Sequence, residues 1–229
     1  MQRSVNHMAV SDELLNAVQS ALGPAIVPSL STSSASSDLF EAYVLGIVLD
    51  AARDLGAQVE YRNRNGPTNQ FVFRTSPGFI FSTAQLYTYA SIALPNAPLI
   101  EAHMGVQVAG RSEVLHECDV AVLPHTEAQT CRVNSVHPRS SKLILAVECK
   151  FYTVSLPLHL ARSFIGLGVD IGAGDCHFVV NTNSYVIEKL LAHHKRHWEH
   201  QLVPGAPLVV GRLRNSFQIA FKNFIAKNQ

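Results

Sequence analysis

The chain of 229 residues predicts an α/β fold, a mixed central β-sheet flanked by helices. Three observations lead there. Apolar residues recur at helical spacing in several segments, short β-branched and aromatic runs fall between them, and the two patterns interleave along the chain. An apolar content of 47% provides for a sizeable core. No GxGxxG or GxxxxGK(S/T) phosphate loop occurs, which argues against kinase and dinucleotide-binding functions.

Taken in order, residues 11–22 place Leu14, Leu15, Val18, Ala21 and Leu22 at helical spacing, opened by Ser11 and closed by Gly23-Pro24. This amphipathic helix, read as an accessory, and a Pro- and Ser-rich linker make up residues 1–37, ahead of a single domain over 38–229. That domain opens with a helix, "DLFEAYVLGIVLDAARDLGA", ending at Gly56. The period then changes, and "QVEYRN", "QFVFRTS" and "GFIFS" are expected strands. Residues 80–98 form an expected insertion, either an added helix or an irregular lid. "LIEAHMGVQVAG" and "EVLHECDVAVL" are two strands joined by the turn "GRS". The polar stretch 124–141 is expected to be a mobile surface loop. After the strand "KLILAVECKFYTV", Pro157 starts a helix running to about Leu167. "DCHFVVNT" is a buried strand, "SYVIEKLLAHHKRHWEH" a helix and "PLVVGRL" a last strand.

Charged residues make up 15% of the chain, below the usual quarter, so a protein coated in basic side chains is excluded. The net charge of +1 is unevenly spread. Residues 1–138 carry 7 Lys/Arg against 12 Asp/Glu (−5), and residues 139–229 carry 11 against 5 (+6). The basic part suits an acidic ligand and the acidic part a site that collects cations. Cys118, Cys131, Cys149 and Cys176 form no Cys-x-x-Cys pair, so zinc-ribbon and thioredoxin chemistry fail, and a reducing cytoplasm is the expected compartment. The N-terminus lacks an uninterrupted apolar signal region. The longest apolar stretch, "AYVLGIVL", is too short to span a bilayer, so no membrane partner is expected.

The chemistry centres on "KLILAVECK". Side chains alternate along a strand, so Glu148 and Lys150 project from one face and Leu145, Val147 and Cys149 from the other. An acid and a base facing a cleft at a strand end are costly to desolvate, and a divalent ion would compensate the acid. Asp119 begins a second apolar strand. If the two strands lie side by side, Asp119 and Glu148 converge on one cation, and oxygen-only ligation suits Mg²⁺ or Mn²⁺ better than zinc. Lys150 would orient or deprotonate the bound water, or neutralise charge on a pentacoordinate phosphate.

Asp119 followed by Glu148-Cys149-Lys150 resembles the PD-(D/E)xK nuclease superfamily, which has the restriction-endonuclease-like fold. The resemblance implies an αβββαβ core over residues 38–182, with Asp119, Glu148 and the Cys149 carbonyl on one or two Mg²⁺ and Lys150 beside the attacking water. It also assigns Glu41 as the acid on the helix before the first core strand. Glu41 equally fits a capping box with Asp38, and Glu117 is a reserve ligand. Two departures stand out: Cys118 occupies the place of the motif's proline, and the interval from Glu41 to Asp119 is long. The implied activity is metal-dependent hydrolysis of phosphodiester bonds in DNA, in a restriction-like defence or repair setting. The protein would act as a homodimer or as a subunit of an assembly. Arg162, Lys195, Arg196, Arg212 and Arg214 are the candidate backbone contacts, beside His193, His194, His197 and His200. A catalytically silent, nuclease-like scaffold is the competing expectation, because a protein of charge +1 holds DNA weakly at physiological salt.

Overall fold

A computed structural model describes residues 2–23, 30–31, 34–74, 77–172 and 175–229, and for residues 2–10 the backbone alone. Among the described residues one eight-stranded mixed sheet runs in the order β2-β1-β3-β4-β5-β6-β7-β8. Its strands are β1 (Gln58–Asn63), β2 (Gly66–Pro67), β3 (Tyr89–Ala93), β4 (Ile100–Ala109), β5 (Leu115–Pro124), β6 (Leu145–Lys150), β7 (Cys176–Val180) and β8 (His197–Glu199). Neighbours from β2 to β6 pair antiparallel, and β6, β7 and β8 are parallel.

Two helical layers cover the sheet. On one face lie α1 (Gln2–Leu22), α2 (Ser36–Arg53) and α6 (Pro207–Lys227), packed on Val120, Val122, Leu145, Val147 and Cys149. On the other lie α3 (His125–Asn134), α4 (Leu158–Ile171) and α5 (Tyr185–His193), packed on Ala121, Leu123, Ala146 and Phe178. Such two-sided cover explains why β6 and β7 are apolar on both faces. The run α2, β4, β5, β6, α4, β7 follows the expected αβββαβ order, with β1–β3 and α3 intervening.

Several expectations change. The N-terminal helix is part of the core rather than an accessory. Leu14, Val18 and Leu22 are buried against α2, where Gly46 lets the helices approach so closely that an added Cβ would stand 2.9 Å from Ala21 Cβ. Most of the expected linker lies outside the described residues.

"QFVFRTS" and "GFIFS" supply no ladder strand among the described residues. Phe71 and Phe73 instead pack with tilted rings, centroids 4.6 Å apart, and Phe71 meets Tyr61 edge-on, so their apolar demand is met by ring packing. Their place beside β1 is taken by β3, from the segment expected to be an inserted helix or lid. The expected mobile loop at 124–141 contains α3, which buries Ala128 and Cys131 and pairs buried Glu127 with Arg139 at 2.9 Å.

The helix beginning at Tyr185 stops at His193. Lys195 has φ 51°, its N–H donates to the Ala192 carbonyl, and the Arg196 N–H donates to the Leu191 carbonyl, which is a Schellman termination. Trp198 then stacks on Phe178 at 5.6 Å and draws the chain into β8. "PLVVGRL", expected as a strand, opens α6. Leu213, Phe217, Ala220 and Phe221 continue its helical spacing and bury against the core, so packing overrides the strand preference of two valines.

Candidate active site

The site forms where two strands part. β5 and β6 pair only over Val120↔Val147, Ala121↔Ala146 and Val122↔Leu145, yet β5 stays paired with β4 as far as Leu115. Beyond Val120 the strands splay. Asp119, which is buried, fills the break by accepting the Cys149 N–H at 2.6 Å, in place of a main-chain carbonyl. Burial raises its carboxyl above the usual range, against the pull of Lys150 and of this N–H.

Glu148 and Lys150 share the face that alternation assigns them, opposite Val147 and Cys149. Lys150 Nζ lies 2.7 Å from Glu148 Oε1 and 3.6 Å from Asp119 Oδ2, so one ammonium bridges both acids. Burial pulls the lysine down, but Asp119 and Glu148 outweigh it and raise Lys150 above its ordinary value. Burial raises Glu148, and Asp119 adds to the rise.

Glu41, in the second turn of α2, is the third acid. Burial pushes it up to about 8, and the charges of Asp119 and then Asp38 add to this while Lys150 opposes it. Ala35 holds the N-cap position without a side-chain capping bond, so the expected capping box is not formed. Glu117 is more exposed, and is raised by burial and by Asp119.

A cleft of about 450 Å³ opens over Asp119, Glu148 and Lys150, between β5 and the Ser163–Leu167 side of α4. Its wall includes His116, which the sequence reading missed. His116 Nε2 bonds Asp170 Oδ2 at 2.6 Å, and that carboxylate also accepts from the Ser112 N–H and hydroxyl, tying the β4–β5 turn to α4. The signal available was the phase His116–Glu117–Cys118–Asp119, which carries polar residues to the strand's start.

The expected phosphate contacts are scattered. Arg162 is exposed on α4, next to the cleft-lining Ser163. Lys195 is exposed at the turn after α5, and Arg196 Nη1 donates to the Gly168 carbonyl at 3.4 Å. Arg212 pairs with Glu199 at 2.7 Å. Arg214 pairs with Asp54, just past the end of α2, about 13 residues and so roughly 20 Å along the helix from Glu41. The structure therefore brings Asp119, Glu148, Cys149 and Lys150 together, with Glu41 within range of the charges of Asp119 and Lys150 but not among the cleft-lining residues, and Lys195, Arg196, Arg212 and Arg214 do not line the cleft.

Glu41, Asp119 and Glu148 offer carboxylate oxygens, the donor type that a hard cation takes, and burial raises each of them. Among the described residues no three His, Cys, Asp or Glu side chains form a ready-made metal cage. All four cysteines are buried and free, and the Cys149 thiol lies on the opposite face from Glu148. Compared with models of known protein families, with curated proteins and with solved structures, the chain matches none.

Proposed function

We propose that the cleft between β5 and β6 hydrolyses phosphodiester bonds, with DNA as the substrate and Mg²⁺ or Mn²⁺ as the cofactor. The observation that carries this reading is the convergence of Asp119 and Glu148, bridged by Lys150, at the point where two paired strands separate. The resemblance of these residues to the PD-(D/E)xK motif supports it, as does the αβββαβ order of the elements that hold them.

Asp119, Glu148 and Glu41 would hold the cation, with the Cys149 carbonyl beside them. A divalent ion bound there lowers the pKa of water from about 15.7 toward 7 and draws charge from phosphate oxygens. The chain's own contribution is positional. The Cys149 N–H fixes the Asp119 carboxylate, which cannot turn away without opening the strand junction. Without a cation, Asp119 and Glu148 raise Lys150 and hold it as an ammonium; beside a bound cation it would orient or deprotonate the attacking water, or offset developing charge on the phosphate. A phosphate backbone entering the cleft would pass His116, which lines it and is held by Asp170, and exposed Arg162, next in sequence to cleft-lining Ser163, would be its nearest basic contact on α4.

The test is cleavage of plasmid and linear DNA, beside RNA, with Mg²⁺ or Mn²⁺, by wild type, Asp119→Ala and Lys150→Ala. The reading requires metal-dependent cleavage that both substitutions reduce by about a hundredfold or more. Cleavage unchanged in both variants removes this site. A wild type that neither cuts nor binds Mn²⁺ calorimetrically leaves the silent scaffold, in which Lys150 neutralises the acids permanently.

No helix among the described residues is long and apolar enough to cross a membrane. A cytoplasmic location and a homodimer or defence assembly belong to the same proposal.

A further inference from the structure

At the other end of β4 and β5, three side chains converge on one buried acid. Glu101, fully buried in β4, accepts from Arg132 Nη1 and Nη2 at 2.9 and 2.6 Å, from His103 Nε2 at 2.8 Å and from His125 Nδ1 at 2.6 Å. A carboxylate only accepts, so His125 carries a proton on Nδ1 toward Glu101 and turns Nε2 the other way. Arg132 is fixed again from a second side, at 5.1 Å over the Tyr89 ring, which stacks on His103 at 5.0 Å. An arginine bound by two nitrogens and a ring has almost no rotamer freedom left to lose on binding a ligand.

Two cavities meet at this arginine. The larger, about 1120 Å³, is polar: Arg62, Arg64, Arg132 and His125 line it with Glu60, and because Glu60 pairs with Arg62 and buried Glu101 with Arg132, Arg64 is the arginine of the three with no ion pair among the described residues. Glu60 pairs with Arg62 at 2.5 Å, and Arg64 donates to the Thr83 carbonyl at 3.2 Å. The smaller cavity, about 160 Å³, is walled by Ile80, Phe81 and Tyr87, with Gln85 among its lining residues. Arg64, Tyr89 and Arg132 line both. An apolar cavity of about 150 Å³ holds one benzene ring, so the smaller space is the size of a flat ring rather than of a whole ligand. A polar cleft with one unmatched arginine, joined to a ring-sized aromatic pocket, accommodates an anionic group and a planar heterocycle within one molecule.

We infer that this paired site binds a nucleoside phosphate, with the phosphate against Arg132, Arg64 and His125 and the base between Phe81 and Tyr87. The Gln85 amide supplies a donor and an acceptor for the base edge. The ligand is either a free nucleotide or one nucleotide of a nucleic-acid strand, since both present the same chemistry. The site shares no residue with the carboxylate cleft. Glu101 faces Leu123 across the ladder, four residues along β5 from Asp119 and so roughly 13 Å away, and the inference does not rest on the hydrolytic reading.

The test is calorimetric titration of the full chain in EDTA, where metal-dependent cleavage is silent. The probes are the four ribonucleoside 5′-monophosphates, adenosine, inorganic phosphate and a short single-stranded DNA. The inference requires that a mononucleotide or the oligonucleotide binds at least about tenfold more tightly than phosphate or adenosine alone. Binding by mononucleotides makes the ligand a free nucleotide, and binding by the oligonucleotide alone makes it a strand. Arg64→Gln removes an exposed basic group and Gln85→Trp fills the smaller cavity. Each must weaken binding by about tenfold or more with an unchanged melting temperature. Millimolar or absent binding of every probe overturns the inference, and so does an affinity that both substitutions leave untouched.

Discussion

Glu41 is a carboxyl that costs the fold stability in the absence of a cation, so Glu41→Gln should stabilise the metal-free protein. Its folded pKa is raised from 4.5 to about 8, by burial and then by the charges of Asp119 and Asp38. An acid whose folded pKa lies above its unfolded value binds a proton in the native state that the unfolded chain has released. Stability is therefore highest below pH 4.5 and declines as pH rises toward 8. At pH 7 the penalty has a ceiling of roughly 3 kcal/mol, and relaxation of a partly exposed, charge-rich site brings it to about 1–2 kcal/mol. Glutamine keeps the shape and has no proton to lose. For a chain of this length that is a rise in melting temperature of about 3–6 °C. The assay is thermal unfolding of wild type and Glu41→Gln in EDTA from about pH 5 to 9, repeated with Mn²⁺. The difference should be small at the acid end and widen toward pH 8, and Mn²⁺ should close it by stabilising the wild type more. Parallel curves, or a variant less stable at pH 8 in EDTA, would refute the assignment of Glu41 to a crowded acid cluster.

Other expectations are briefer. Asp119→Asn keeps an oxygen for the Cys149 N–H and removes the charge, so its melting temperature should stay within about 3 °C of wild type while cleavage falls about a hundredfold or more. Calorimetric titration with Mn²⁺ should show binding that Glu148→Ala abolishes, and equal binding by the variant would contradict the ligand assignment. His177 is held down to about 3, first by burial and then by stacked His197. Its stabilising neutral form is fully present above the ordinary histidine pKa and is lost as pH falls, with a ceiling of roughly 5 kcal/mol. Urea unfolding of His177→Phe should show a smaller loss than wild type between about pH 7.5 and 4.5. Gly46→Val places methyl groups against Ala21, where a Cβ alone would already stand at 2.9 Å, and should cost at least about 2 kcal/mol in the same assay.

The parts of the molecule legible in the sequence are those governed by local periodicity. β4, β5 and β6 follow from short apolar runs bounded by turn residues, and the two-residue period of a strand then fixes the shared face of Glu148 and Lys150. Where a competing local pattern was equally good, packing decided: "PLVVGRL" opens a helix because the residues after it extend an apolar stripe, and Tyr89–Ala93 joins the sheet, buried over its first four residues between β1 and β4. The existing partners of the basic residues were hidden for a related reason. Arg214 and Asp54 are 160 positions apart, so no sequence window reveals that the charge is already matched.

What the sequence determined by itself is the inventory and phase of the carboxylate site. Asp119, Glu148 and Lys150 sit at the rims of apolar strands, and a two-residue period is a property of the backbone. Only the tertiary structure decided that β5 and β6 part beyond Val120, that Glu41 comes within reach of their charges, and that Glu101 gathers Arg132 and His125 beneath a second cleft. Strand separation and charge burial depend on which distant elements press on each face, and that is settled by packing across the whole sheet.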